Sequence, residues 1–110
     1  MNIEILEDNI EKIAEPYASI VELIVDALRT YPTFELNDTE DYFNEVKRLL
    51  KSDDISYDSI KDYLENNNNL DEQNTVWISD SLNSLIEAFE LMRLSKISLN
   101  DVKNIIADLN

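Results

Sequence analysis

Three features of the sequence predict an all-α fold, a compact bundle of five or six helices in a single domain spanning residues 1–110. Glycine is absent, and tight β-hairpins ordinarily need it at positive φ. Apolar residues recur at steps of three and four along most of the chain, which marks one face of a helix. Two segments 42 residues apart, "DISYDSIKDYLEN" (Asp54–Asn66) and "KISLNDVKNIIAD" (Lys96–Asp108), also repeat one pattern of capping serine and apolar face.

The first helix is set by Ile3, Leu6, Ile10 and Ile13, with Glu4, Asp8, Glu11 and Glu15 along another face. Pro16 ends or kinks it, or starts a new helix at its first turn. Tyr17, Ile20, Val21, Ile24, Leu28 and Tyr31 follow, with Leu23, Val25 and Ala27 filling other sides. A segment apolar nearly all round belongs at the centre of a bundle. Pro32 stops it, and "TFELNDTE" is a loop in which Asp38 or Thr39 can cap the next helix.

That third helix turns Tyr42, Val46, Leu49 and Leu50 inward, and the first copy of the repeated pattern follows "KSDD". "NNNN" (Asn66–Asn69) is a polar break. Beyond it Ile78, Leu82, Leu85, Phe89 and Met92 trace the seam of a long fifth helix. Ser81, Ser84 and Ala88 leave a narrow strip beside that seam where another helix can approach closely. The second copy closes the chain.

Aligned at an offset of 42, Ile55 matches Ile97, Ser56 matches Ser98, Ile60 matches Val102 and Leu64 matches Ile106. Each serine is placed to cap a helix, with the preceding isoleucine reaching the N4 residue as a hydrophobic staple. The match extends backwards, pairing Glu45 with Glu87, Leu49 with Leu91 and Lys51 with Arg93. Each copy then reads as a longer helix, a linker and a short capped helix. The two units, about 41–66 and 76–109, would stack as helical hairpins on the amino-terminal pair. Duplication accounts for the likeness; so does convergence, because stapled helix starts are common.

The copies differ in charge. Asp54, Asp58, Asp62 and Glu65 form a stripe on the first, where the second has Lys96, Asn100, Asn104 and Ala107. Like charges four apart on a helix cost about 0.2–0.5 kcal/mol per pair, so the scaffold does not call for them. Over the whole chain 24 acids face 9 bases, a formal −15. Residues 35–65 carry −6 of this, whereas residues 93–110 carry +1. Such a chain repels phosphate backbones and anionic membranes alike, so neither nucleic acid nor membrane is an expected partner. The natural partner is a cationic protein.

Catalytic and cofactor chemistry finds little to use. Without His or Cys there is no ordinary zinc site, no nucleophilic dyad and no disulfide. Without Gly there is no phosphate-cradling loop. "DDISYD" and "NNNNLDE" lack the turn glycine and properly placed glutamate of a calcium loop. The expectation is a protein that is not an enzyme and needs no metal or cofactor. The acidic amino terminus is unlike a signal peptide, and "IVELIVDAL", interrupted by Glu22 and Asp26, is too short to span a membrane. A cytoplasmic location is expected.

In size, charge and helical make-up the chain resembles the bacterial immunity proteins, compact acidic bundles that neutralise a cationic nuclease toxin. The likeness is one of class and rests on no shared motif. It implies an inhibitor acting by electrostatic complementarity on a toxin or nucleic-acid-binding protein. The residues expected to meet such a partner are Glu35, Asp38, Glu40, Asp41, Asp54, Tyr57, Asp58, Asp62 and Glu65. Two other readings compete. A nucleic-acid mimic would spread carboxylates over an elongated surface. A helical adaptor would use Ser81, Ser84 and Ala88 as a subunit contact.

Overall fold

The structure, a computed structural model, describes residues 3–32, 36, 38–66 and 73–109. Among them are six α-helices and no strand: α1 Ile3–Asn9, α2 Tyr17–Thr30, α3 Thr39–Leu50, α4 Tyr57–Asn66, α5 Gln73–Leu94 and α6 Leu99–Asp108. A 3₁₀ turn, Ile10–Lys12, follows α1. The expected single helix through Ile13 therefore stops early. The Asn9 side chain donates to the Ile5 carbonyl at 2.7 Å, competing for the acceptor an uninterrupted helix would use.

Pro16 stands at the N-cap of α2 after a cis peptide bond, and Glu15 supplies the cap a proline cannot. Its carboxylate accepts from the Ser19 hydroxyl at 2.7 Å and the Ser19 amide at 3.3 Å. Glu15 is thus a capping group as well as part of the acidic face read from the sequence. Arg29 of α2 pairs with Glu7 of α1.

The central contact is between α2 and α5. Helix α2 buries Ala18, Ile20, Val21, Ile24, Val25, Ala27 and Leu28; α5 answers with Ser81, Leu82, Leu85, Ala88 and Met92. The small side chains of Ala27, Ser81 and Ala88 let the two backbones approach. The Ser81 hydroxyl donates to the Ala27 carbonyl at 2.5 Å, so its oxygen accepts from the Tyr42 hydroxyl of α3 at 2.7 Å. Three helices are pinned by this fully buried chain, and no buried side-chain polar atom among the described residues lacks a partner. An unmet donor there would cost about 1–3 kcal/mol.

The hairpins α3–α4 and α5–α6 meet where α4 lies on α5, and α2 packs against α3, α5 and α6. Core aromatic residues are Tyr31, Tyr42 and Phe43, with the Tyr31 and Tyr42 rings edge to face at 5.9 Å. Tyr17 and Phe89, read on the apolar faces of the second and fifth helices, are half-buried at its edge with Tyr63, while Tyr31 is buried. Its hydroxyl donates to Glu45 at 3.1 Å. Burial and the Glu45 carboxylate push the Tyr31 phenol up to about 12. Arg48 and then Tyr31 hold the Glu45 carboxyl below the usual range, against the opposing effect of its burial.

Candidate functional site

The two hairpins close by the same device. Lys51 and Lys96 both take the left-handed conformation, at φ 54° and 56°. Lys51 donates to the Arg48 carbonyl and Ser52 to that of Lys47; Lys96 donates to Arg93 and Ile97 to Met92. These are paired Schellman turns, built here without the usual glycine. Each is preceded by an i,i+3 ion pair, Glu45–Arg48 and Glu90–Arg93. The first helices of the hairpins therefore match at an offset of 45, through Glu-x-x-Arg-x-x-Lys at 45–51 and 90–96. This corrects the backward pairing at 42, which fails once the loops differ in length.

The short helices do match at 42. Ser56 accepts from the Ser59 amide at 3.1 Å while the Ser59 hydroxyl accepts from the Ser56 amide at 2.9 Å. Ser98 and Asp101 exchange the same two bonds at 3.1 and 3.0 Å. Both are capping boxes, and Ile60 and Val102 are fully buried behind them. The change of offset means that the first connection holds three more residues, Ser52, Asp53 and Asp54. The Ser52 hydroxyl ties this insert together, donating to the Asp54 carbonyl at 2.9 Å and accepting from its amide at 3.2 Å.

The acidic stripe starts in the insert. Asp53, Asp54, Asp58, Asp62 and Glu65 are all exposed, and none forms a salt bridge with a described residue. Asp41 on α3 is exposed as well. Other predicted site residues have structural duties. Asp38 caps α3, accepting from the Glu40 amide at 2.7 Å, and Glu40 meets Lys103 of α6 at 3.5 Å. The same Lys103 lies 5.2 Å from the centre of the Phe43 ring, tying α6 to α3. Glu35 falls outside the described residues.

Tyr57, the one aromatic residue among the expected partner contacts, is half-buried. Lys61 and Arg93 stand 5.5 and 5.8 Å from its ring centre, within cation–π range. It separates two grooves. One, of about 310 Å³, lies where the copies begin: Ile55 and Ile97, Ser56 and Ser98, Tyr57 and Leu99 line it over Phe89 and Met92. Matched residues of the two copies thus line one groove. The other runs between α4 and α5 and includes Leu64 and Ile86, neither of which the sequence had marked as surface-forming.

Of the strip read as a possible subunit contact, Ser81 and Ala88 are buried within the fold and Ser84 is half-buried. Among the described residues, no group of three or more acidic side chains could hold a metal ion, and no helix is long and apolar enough to cross a membrane. No protein-family model, curated protein or solved structure matches the chain.

Proposed function

We propose that the chain is an acidic inhibitor of the immunity or antitoxin type, binding a cationic protein such as a nuclease toxin through its first hairpin. One observation carries the reading. Asp54, just before α4, and Asp58, Asp62 and Glu65 on it are exposed and form no salt bridge with a described residue, in a hairpin whose twin short helix is capped and packed without them. Like charges held one turn apart work against α4, and a basic surface is what would turn that cost into attraction. The body measures 40 × 30 × 21 Å, which favours a compact patch over the extended array a nucleic-acid mimic needs. The reading includes no catalytic step and no cofactor.

The test is affinity capture from the source cells with two baits, the wild type and the triple variant Asp54→Lys, Asp58→Asn, Asp62→Asn. The expected result is a basic protein held by the wild type in dilute buffer, released by salt, and absent from the variant. An acidic partner, or equal retention by a folded variant, removes the proposal.

A further inference from the structure

The groove between α4 and α5, about 470 Å³, is lined by Tyr57, Lys61, Leu64, Glu65, Asn83 and Ile86. Leu64 and Ile86, both half-buried, supply its apolar surface. One acid, Glu65, shares the lining with the cation Lys61, and further acids stand on both flanking helices. Asp58, Asp62 and Glu65 are exposed on α4, and Asp80 and Glu87 flank the exposed Asn83 on α5. Steps of three and four place Asp80, Asn83 and Glu87 on one helix face. That face continues to Val76 and Leu94, which are 39% and 71% exposed and, at five turns apart, separated by about 27 Å. Two cations offset this field in part: Lys61, itself in the lining, and Arg93 stand against the Tyr57 ring, but Arg93 is paired with Glu90, which leaves Lys61 against the exposed Asp58, Asp62, Glu65, Asp80 and Glu87.

We propose that this groove receives a basic amphipathic helix of the partner. Its apolar stripe would rest on Leu64 and Ile86, and its lysines or arginines would reach the acids of both flanking helices. The inference rests on the cationic-partner reading and adds where and how the partner enters. Charge complementarity decides between occupants. A second copy of this chain would bring its own −15 against the same acids, and like-charge apposition opposes pairing. A helix matches the groove because both its walls are helical, and the helix-in-groove mode sets apolar anchors at i, i+3, i+4 and i+7.

The probe is a synthetic peptide of leucine and lysine, ~18 residues to span five turns, with leucines in that register. Its partner is a scrambled peptide of identical composition. Each is titrated into the wild type and into Asn83→Arg, an exposed change whose folding a thermal melt verifies. The ordered peptide should bind the wild type at least 10-fold more tightly than the scrambled one, and Asn83→Arg should abolish that preference. Equal binding of both peptides, or indifference to Asn83→Arg, overturns the groove while leaving the cationic reading intact. Binding by neither peptide also overturns the groove, and the cationic reading is decided separately by the affinity capture. A wild type that dimerises in sedimentation while Asn83→Arg stays monomeric would assign the groove to a second copy and overturn the proposal.

Discussion

In the second hairpin Ile97 serves two helices at once, closing the Schellman turn of α5 and preceding the capping box of α6. In the first hairpin those tasks fall to Ser52 and Ile55, with Asp53 and Asp54 between them. The shorter connection shows that the cap, the turn and the buried N4 residue are sufficient to join the helices. What the longer one adds is charge. The acid of the second copy that sits at the helix start, Asp101, completes a capping box, whereas its counterpart Ser59 does that work uncharged. The copies thus separate acids that hold the fold from acids that decorate it.

The comparison breaks most readily at the buried N4 positions. Ile60→Ala should cost about 2–5 kcal/mol, as truncation of a fully buried isoleucine does. Val102→Ala should cost less by about 0.8 kcal/mol, the value of one methylene. Urea denaturation of both variants measures this. A near-neutral result at one site alone would mean that the two short helices are not equivalent supports.

A second difference lies in how each hairpin is anchored to α2. Both Glu45 and its counterpart Glu90 pair with an arginine on their own helix, but Glu45 also accepts from Tyr31 at the end of α2. Tyr31 keeps its proton to about pH 12 in the fold, against roughly 10 when unfolded. Between those values the native state binds more protons than the unfolded chain, so stability falls as pH rises. The loss is on the order of 2–3 kcal/mol, complete once pH passes the folded value. Tyr31→Phe should flatten part of this alkaline limb in pH-dependent melts. The buried Tyr42, also shifted upward, chiefly by burial, adds to the same limb. At the acid end the depressed Glu45 carboxyl contributes stability that is lost as pH falls below the ordinary glutamate range, and Glu45→Gln should remove that loss.

The caps should prove interchangeable. Ser56→Ala and Ser98→Ala should each cost about 1 kcal/mol. The two left-handed lysines are the smallest lever and act in the opposite direction. Lys51→Gly and Lys96→Gly relieve a Cβ clash and should each stabilise by ~0.5–1 kcal/mol. A destabilising glycine at either site would contradict the αL geometry assigned there.

Much of this scaffold was legible in the sequence. The serine-capped starts were visible because capping and stapling act within four residues, and the periodicity of α2 and α5 marked both central helices. The equivalence of Lys51 with Lys96 was hidden, since an αL lysine carries none of the signal a glycine gives. The Glu-x-x-Arg-x-x-Lys pattern would have exposed it at a second offset. The Ala27–Ser81–Tyr42 chain and the Glu40–Lys103 bridge join residues far apart in sequence, which local reasoning cannot pair. For the same reason, Asp38 and Glu40 looked equivalent to Asp58 and Asp62 until the fold gave the first two structural partners.

The proposal holds that the acidic stripe of Asp54, Asp58, Asp62 and Glu65 is there for a partner and not for the fold. The triple variant Asp54→Lys, Asp58→Asn, Asp62→Asn gives the first copy the residues of the second and tests this most directly. A thermal melt and a titration against the captured basic partner are read together. The expected melting temperature is close to that of the wild type, because relief of the Asp58–Asp62 repulsion is offset by loss of the Asp58 carboxylate from the first turn of α4. The expected affinity is weakened at least 10-fold, about 1.4 kcal/mol. Unchanged affinity in a folded variant, or a variant that fails to fold, would contradict the proposal.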